Sequence, residues 1–401
     1  MQFSSPSTRR SPPTIATLVL LSGLSALSLN LFLPSLPNMA LYFNADYKVM
    51  QLSIALYLLV NAVLQVLIGP IADKAGRRPV LLWGLSLFLL ATLGSIYAPN
   101  VEVFLAFRMC QAVIVVGMVL SRAAVRDLYD QAQAASMIGY VTMGMAVVPM
   151  IGPAVGGLLE ESFGWKANFW LPFVLGALTL LLVYFDFGET SAKSGKTLGQ
   201  QFKEYPELLT SPRFWGYSLS SALSSGAFFA YLGGAPFIGT ELFGLTASEV
   251  GIYFGAPAIG YFFGNFISGR YSVRFGVNRM VLWGSALNAA GVLLSAVLFL
   301  TGFGTALSFF GFMTFVGVGN GMTIPNATSG ALSVRPHLAA TASGLSGAIM
   351  LGGGAGLSAL AGTMLTHETG AMPLLWLMLA TAALAVCAIA TVIRRERQLG
   401  L

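Results

Sequence analysis

The sequence predicts an all-α membrane protein of twelve transmembrane helices arranged as two pseudo-symmetric six-helix bundles, and three observations carry that expectation. Composition is the first: of 401 residues, 56% are hydrophobic and 9% charged, with a mean hydropathy of +0.77. A soluble domain cannot cover its surface with so few polar groups. The second is spacing. A helix needs about 20 apolar residues to cross a hydrocarbon core, and segments of that kind lie at 14–41, 49–71, 79–98, 101–125, 133–160, 166–187, 213–241, 247–271, 279–302, 304–330, 337–366 and 370–393. The third is repetition at an offset of 200 residues. Phe43 falls on Phe243, Gly69 on Gly269, Gly76 on Gly276, and Leu82-Trp83-Gly84 on Leu282-Trp283-Gly284, the mark of duplicated halves related by an axis along the membrane normal. Residues 1–188 and 213–401 are therefore expected as the two bundles, joined by a polar linker at 189–212.

Charge sets the expected orientation. The tails and alternate gaps, with the helix ends beside them, hold 18 of the 21 Lys and Arg; the opposite gaps hold Lys48 and Lys166, and Arg108 lies inside a span. Basic loops face the cytoplasm, so both termini are expected there. The net charge of +6 would suggest nucleic acid in a soluble chain, but here short loops carry it and topology accounts for it; the expected partner is the bilayer, with no nucleic acid. The first span, although flanked by Arg9 and Arg10, is too long for a signal-peptide core and lacks a small-x-small cleavage site. It stays as the first transmembrane helix.

Chemistry of the enzymatic kind is not legible. Cys110 and Cys387 fall in different spans, which offers neither a disulfide framework nor metal-ligand spacing; both read as small buried apolar residues. Ser194-Gly195-Lys196-Thr197 has the tail of a phosphate-binding loop, but Thr190 stands where its first glycine belongs and no strand precedes it, so a basic loop is the better reading. His337 and His367 have no Ser, Cys or paired carboxylate about them. No enzyme, cofactor or metal is expected.

Taken in order, the polar residues form helical stripes. Asn30 sits near the middle of the first span, on an i, i+4, i+8 stripe with Pro34 and Asn38. The second span carries Tyr57, Asn61 and Gln65 at the same spacing, and the eighth carries Tyr253, Tyr261 and Asn265. The seventh carries Tyr217, Ser221, Ser224, Phe228 and Tyr231. Such mixed stripes suit neutral or weakly amphipathic aromatic ligands, since pockets pair apolar walls with a few polar groups; amides also hold membrane helices together. Between spans 2 and 3 lies Gly69-Pro70-Ile71-Ala72-Asp73-Lys74-Ala75-Gly76-Arg77-Arg78, a charge cluster in a short gap. In span 4, Arg108 is the mid-helix charge, with Gln111 three residues on and on the same face. An arginine there costs about 2.5–3.5 kcal/mol on insertion scales, which marks a functional position. Span 5 has Gly144, Pro149, Gly152-Pro153 and Gly156-Gly157, small residues that allow close backbone approach and prolines that bend the helix.

Gly-x-x-x-Asp-x-x-Gly-Arg-Arg after the second of twelve spans resembles the major facilitator superfamily of transporters. The resemblance implies that Asp73 pins the halves together at their cytoplasmic ends in one state, aided by Arg77, Arg78 and Arg126. A carboxylate suits a helix N-terminus, and helix 11 is expected to begin beside Pro336; Val273 at the equivalent position of the second half makes the latch asymmetric. The Arg108-Gln111 pair is similar to the family's proton-coupling motif. Gly152, Pro153, Gly156 and Gly157 are similar to the antiporter signature of its drug-exporting branch. Leu29-Asn30-Leu31-Phe32-Leu33-Pro34-Ser35-Leu36-Pro37 and Ser121-Arg122-Ala123-Ala124-Val125-Arg126-Asp127-Leu128-Tyr129 resemble the bicyclomycin and chloramphenicol resistance branch. Many of its members carry aspartate where this chain has Asn30. An amide cannot lose a proton, so the chain either behaves as proton-loaded at that point or couples through another group such as Glu102 or Asp127.

The function this implies is proton-coupled efflux of small amphipathic compounds by alternating access, in a bacterial inner membrane and as a monomer. Two other readings are an uptake facilitator or symporter for a polar metabolite, and a receptor or scaffold that transports nothing. The Gly-Pro-x-x-Gly-Gly core and the scarcity of cavity charge argue against the first; the buried arginine argues against the second.

Overall fold

The computed structural model describes residues 13–128, 148, 151–190, 205–335 and 339–400, with the side chains at 70, 73, 126–128, 205 and 339–341 outside that description. The described residues are helical without strands, and eleven of the helices are long and apolar enough to span a membrane. They are α1 (Ile15–Tyr42), α2 (Tyr47–Ala75), α3 (Arg77–Ile96), α4 (Val101–Leu128), α6 (Ala167–Asp186), α7 (Pro212–Leu242), α8 (Ala247–Phe275), α9 (Val277–Leu300), α10 (Ala306–Ser333), α11 (Ala339–Met364) and α12 (Met372–Leu399). Between α4 and α6, the helical stretch 151–163 is the described part of α5.

Local chemistry starts these helices where the backbone needs donors satisfied. Asp46 and Asn100 accept from the amides of Lys48 and Val103 at 2.9 Å each. Thr246 and Glu249 form a reciprocal capping box, the arrangement that meets two orphan amides at once. The repeat survives in the backbone: Asn44 and Gly244 both have positive φ, as do Gly76 (98°) and Gly276 (82°). Each of those two glycines ends one helix and starts the next without a break in the bundle, a turn that a side chain would strain.

Two expectations need correction. Asn30, Pro34 and Asn38 do not share a continuous stripe, because α1 breaks after Asn30, passes through a 3-10 turn at Leu33–Ser35 and resumes at Leu36. Pro34 and Pro37 lack the N–H that would bond the carbonyls four residues back, so the helix cannot continue unbroken. Cys110 and Cys387 are exposed rather than buried, since apolar faces of a membrane protein can point outward.

Packing distinguishes the two ends of the bundle. At the end carrying Trp165, one apolar core takes residues from both sides of the linker, among them Phe32, Leu58 and Phe169 with Tyr231, Phe310 and Leu374. At the opposite end, carrying Arg77, there are two separate cores, one built on Leu21, Leu85 and Phe187 and the other on Phe214, Val281 and Ile389. Among the described residues the halves therefore share one core at the Trp165 end and keep separate cores at the other.

Candidate functional site

Arg108 is the largest fully buried side chain among the described residues, 1% exposed, and its surroundings explain how a charge survives there. Its Nη1 donates to Gln111 Oε1 at 2.8 Å and to Ser28 Oγ at 3.3 Å, and its Nη2 donates to the Ser28 carbonyl at 2.8 Å. Gln111 passes the chain on, donating to Thr92 Oγ1 at 2.9 Å. The guanidinium lies over the rings of Phe32 and Tyr57, 4.4 and 4.2 Å from their centroids. Aromatic faces attract a desolvated cation. No carboxylate among the described residues reaches it, and Nε has no acceptor. The site is a cation held by neutral dipoles and ring faces, drawn from α1, α2, α3 and α4.

Asn30 is buried beside this cluster in sequence, yet its Nδ2 donates to the Ala26 carbonyl at 2.7 Å, on its own helix. The structure brings Arg108, Gln111 and Tyr57 together and leaves Asn30 bonded elsewhere. Glu102 lies exposed in the first turn of α4, and Asp127's side chain is outside the described residues.

The Gly152, Pro153, Gly156 and Gly157 run forms a crossing of backbones. A Cβ at Gly156 would overlap the Leu31 carbonyl of α1, and one at Gly157 the Ala247 carbonyl of α8; reciprocally, one at Gly251 would overlap the Pro153 carbonyl. Gly152 is in ordinary contact with Asn30. Only residues without side chains allow such approach. Nearby, Glu161 accepts from the Ser248 amide at 2.9 Å, Tyr47 donates to the Gly233 carbonyl at 3.2 Å, and Gln51 donates to the same carbonyl. Gly157 therefore lies in the seam between the halves at the Trp165 end, while Gly152 and Gly156 pack on α1 of their own half. Gly144 and Pro149 lie outside the described residues.

At the other end, the amides of Arg77 and Arg78 donate to Glu189 at 2.9 and 3.3 Å, and Arg78 Nη2 reaches the Tyr184 carbonyl at 2.8 Å. Glu189 is thus the carboxylate seated at the N-terminus of α3, a favourable place for it. The side chains of Asp73 and Arg126, and residue Pro336, lie outside the described residues.

The stripes divide. In α2, Gln65 donates to Asn61 at 3.3 Å and lies against Gly347 of α11. In α8, Asn265 donates to the Tyr261 carbonyl at 2.8 Å, and Tyr261 stands within electrostatic reach of Arg122 on α4. Tyr253 stacks on Phe310 at 4.9 Å. In α7, Phe228 and Tyr231 stack at 6.3 Å, and Tyr231 joins Phe254, Phe309 and Phe310 in an aromatic core. Ser221 contacts the Met350 sulfur at 3.8 Å. Ser224 donates to Asn320 at 2.8 Å and accepts from Asn288, whose Nδ2 also bonds the Ser224 carbonyl at 3.0 Å. Tyr217 bonds Asn278 and Glu396 near the Arg77 end.

Sequence reasoning missed Ser28, Phe32, Thr92, Glu189, Asn288 and Asn320. Asn288 and Asn320, amides inside apolar spans, carried the signal used for Asn61; Ser28 and Thr92 carried none, because single hydroxyls in membrane helices commonly bond their own backbone.

Comparison with known proteins adds the following. Residues 18–359 match the family model described as Major Facilitator Superfamily. Multidrug resistance protein D of Escherichia coli (strain K12) is 30% identical over 397 residues, 93% of this chain and 97% of that one. A chloramphenicol resistance protein of Pseudomonas aeruginosa is 30% identical over 333 residues, 81% of this chain and 78% of that one. Among solved structures, a D-xylose-proton symporter superposes with a TM-score of 0.74 at 15% identity, covering 94% of this chain and 96% of that one; at that identity the likeness is one of fold.

Proposed function

The chain belongs to the major facilitator superfamily, and on that premise we propose that it is a proton-coupled exporter of small amphipathic compounds, antibiotics among them, working by alternating access in a bacterial inner membrane. It is an integral membrane protein and no enzyme. The observation that carries the reading is Arg108: a guanidinium buried at insertion cost, set over the rings of Phe32 and Tyr57 and without a carboxylate among the described residues, is poorly explained by folding alone. Relatives over most of the chain's length bear drug-resistance names, which supports the direction of transport.

In this reading both termini are cytoplasmic, the bundles are 1–188 and 213–401, and the protein acts as a monomer. The Trp165 end then faces outward, and the shared core there supports an inward-facing state. Arg108 and Gln111, with Asn30 close by, serve coupling; Asp73, Arg77, Arg78 and Arg126 serve the latch of the opposite state. The helix-5 glycines seal the outward end. Drug passes between the halves, where Gln65 faces Gly347 and Tyr261 faces Arg122, with Asn61, Asn265, Ser221, Phe228, Tyr231 and Tyr253 deeper in the walls.

The test is chloramphenicol movement in everted membrane vesicles of an efflux-deficient bacterium expressing the chain, alongside a drug-susceptibility panel. Accumulation driven by a pH gradient and abolished by its collapse is expected. Resistance to no compound, together with uptake of a sugar or amino acid, would overturn the reading.

A further inference from the structure

Position 30 holds an amide, and Arg108 has no carboxylate beside it among the described residues, so a coupling proton needs another seat. One junction near the Trp165 end has the chemistry. Glu160, in α5 one turn beyond Gly156, is 8% exposed. Its Oε1 accepts from Asn38 Nδ2 of α1 at 2.8 Å, while its Oε2 is buried with no donor among the described residues. From α6, Asn168, 2% exposed, donates to Ser35 Oγ at 2.7 Å and to the Gly156 carbonyl at 2.9 Å, and its own Oδ1 is likewise buried with no donor. The junction of α1, α5 and α6 therefore holds two orphan acceptors, one of them a carboxylate oxygen, and buried acceptors are ordinarily met.

The charged groups around it are otherwise engaged. Glu161 turns to Ser248, Glu249 to Thr246, and Asp46 to the Lys48 amide. Lys166 lies over the rings of Tyr42 and Trp165. Glu102 and Lys48 are exposed. None of the ion pairs among the described residues involves Glu160. A metal cation would want several oxygen ligands at once; a proton on Oε2 supplies the one donor that the junction lacks.

We propose that Glu160 is the proton-binding carboxylate of the transport cycle, a reading that rests on the proposed antiport. Its position gives the mechanism. Glu160 is bonded to α1, its neighbour Glu161 is bonded across the seam to α8, and Gly157 and Gly251 pack that seam backbone to backbone. Gain or loss of the Glu160 proton changes whether that carboxyl can donate, and so biases the closure of the outward end, as a local charge change biases a two-state element. Opening the seam exposes Glu160 to the outside, where it takes a proton; after the seam closes and drug binds from the cytoplasmic side, the proton leaves Oε2 to that side, so that each cycle carries a proton inward against drug moving outward.

Infrared difference spectra of the purified full-length protein, acid against neutral, are expected to show a protonated-carboxyl band that disappears in Glu160→Gln and shifts in Glu160→Asp. In everted vesicles, Glu160→Gln is expected to lose chloramphenicol accumulation driven by a pH gradient, its rate falling to the level without a gradient, while chloramphenicol counterflow continues and shows the variant folded. A carboxyl band untouched by Glu160→Gln, or one displaced by Na+, overturns the proposal even when the parent exports drug. A band that does depend on Glu160 in a parent that moves no drug leaves the proton site standing and removes the export reading instead.

Discussion

The two halves each tie their first, third and fourth helices together with a buried polar cluster, and the clusters differ in charge. In the first half it is Ser28, Thr92, Arg108 and Gln111; in the second it is Ser224, Asn288 and Asn320. Both carry an orphan, Arg108 Nε in one and Asn288 Oδ1 in the other. The neutral cluster does what amides commonly do in membranes, holding helices by hydrogen bonds. The charged cluster does the same geometric task at greater desolvation cost. The difference teaches that tying these three helices does not by itself require a cation.

Breaking the comparison at its charged side should give the largest effect. Arg108→Gln is expected to abolish drug export at a stability cost of about 1–3 kcal/mol, because the buried Gln111 Oε1 and Ser28 carbonyl lose their donor. Vesicle transport and the thermal unfolding midpoint, measured on the same preparation, check it; undiminished export would return Arg108 to a structural role. Asn30→Asp sharpens the same half. An ionised carboxylate cannot make the donation that Asn30 gives the Ala26 carbonyl, so drug binding should gain a pH dependence beyond the parent's. Matching pH profiles by equilibrium binding would show position 30 inert.

On the neutral side, Asn320→Ala should cost about 1–3 kcal/mol by taking the acceptor from the buried Ser224 hydroxyl, with export retained in whatever protein folds. Chemical unfolding in detergent and vesicle transport separate the two effects, and lost export at unchanged stability would contradict it. The glycine-rich helices offer the next contrast. Gly156→Val forces a side chain onto the Leu31 carbonyl and should cost about 1–3 kcal/mol, whereas Gly356→Ala in α11 meets nothing within 4 Å and should gain about 0.5–1 kcal/mol. A disulfide between cysteines at 161 and 248 should form less readily in the Gly156 variant.

The smallest effect separates the two repeat turns. Gly76→Ala and Gly276→Ala both strain a positive φ, by roughly 1–3 kcal/mol. Gly76 also packs on Glu189, while Gly276 meets nothing within 4 Å, so the first should exceed the second by about 1 kcal/mol, one hydrogen bond's worth. Equal midpoints in paired melts would show that Glu189 contributes nothing there.

Hydropathy, the 200-residue offset and the placement of glycine and proline determined the helices and their pairing by halves, because these are local: twenty apolar residues must be helical in lipid, and a repeated turn needs its repeated glycine. The importance of Arg108 was legible for the same reason, since cost of burial follows from position in a span. Its partners were not. That Ser28, Phe32 and Thr92 surround it, that Gly157 meets Ala247, that Glu189 seats on α3, and that Glu160 lies buried against Asn38 all depend on how helices far apart in sequence rotate against one another. Helical periodicity says which residues share a face; packing alone decides what that face meets.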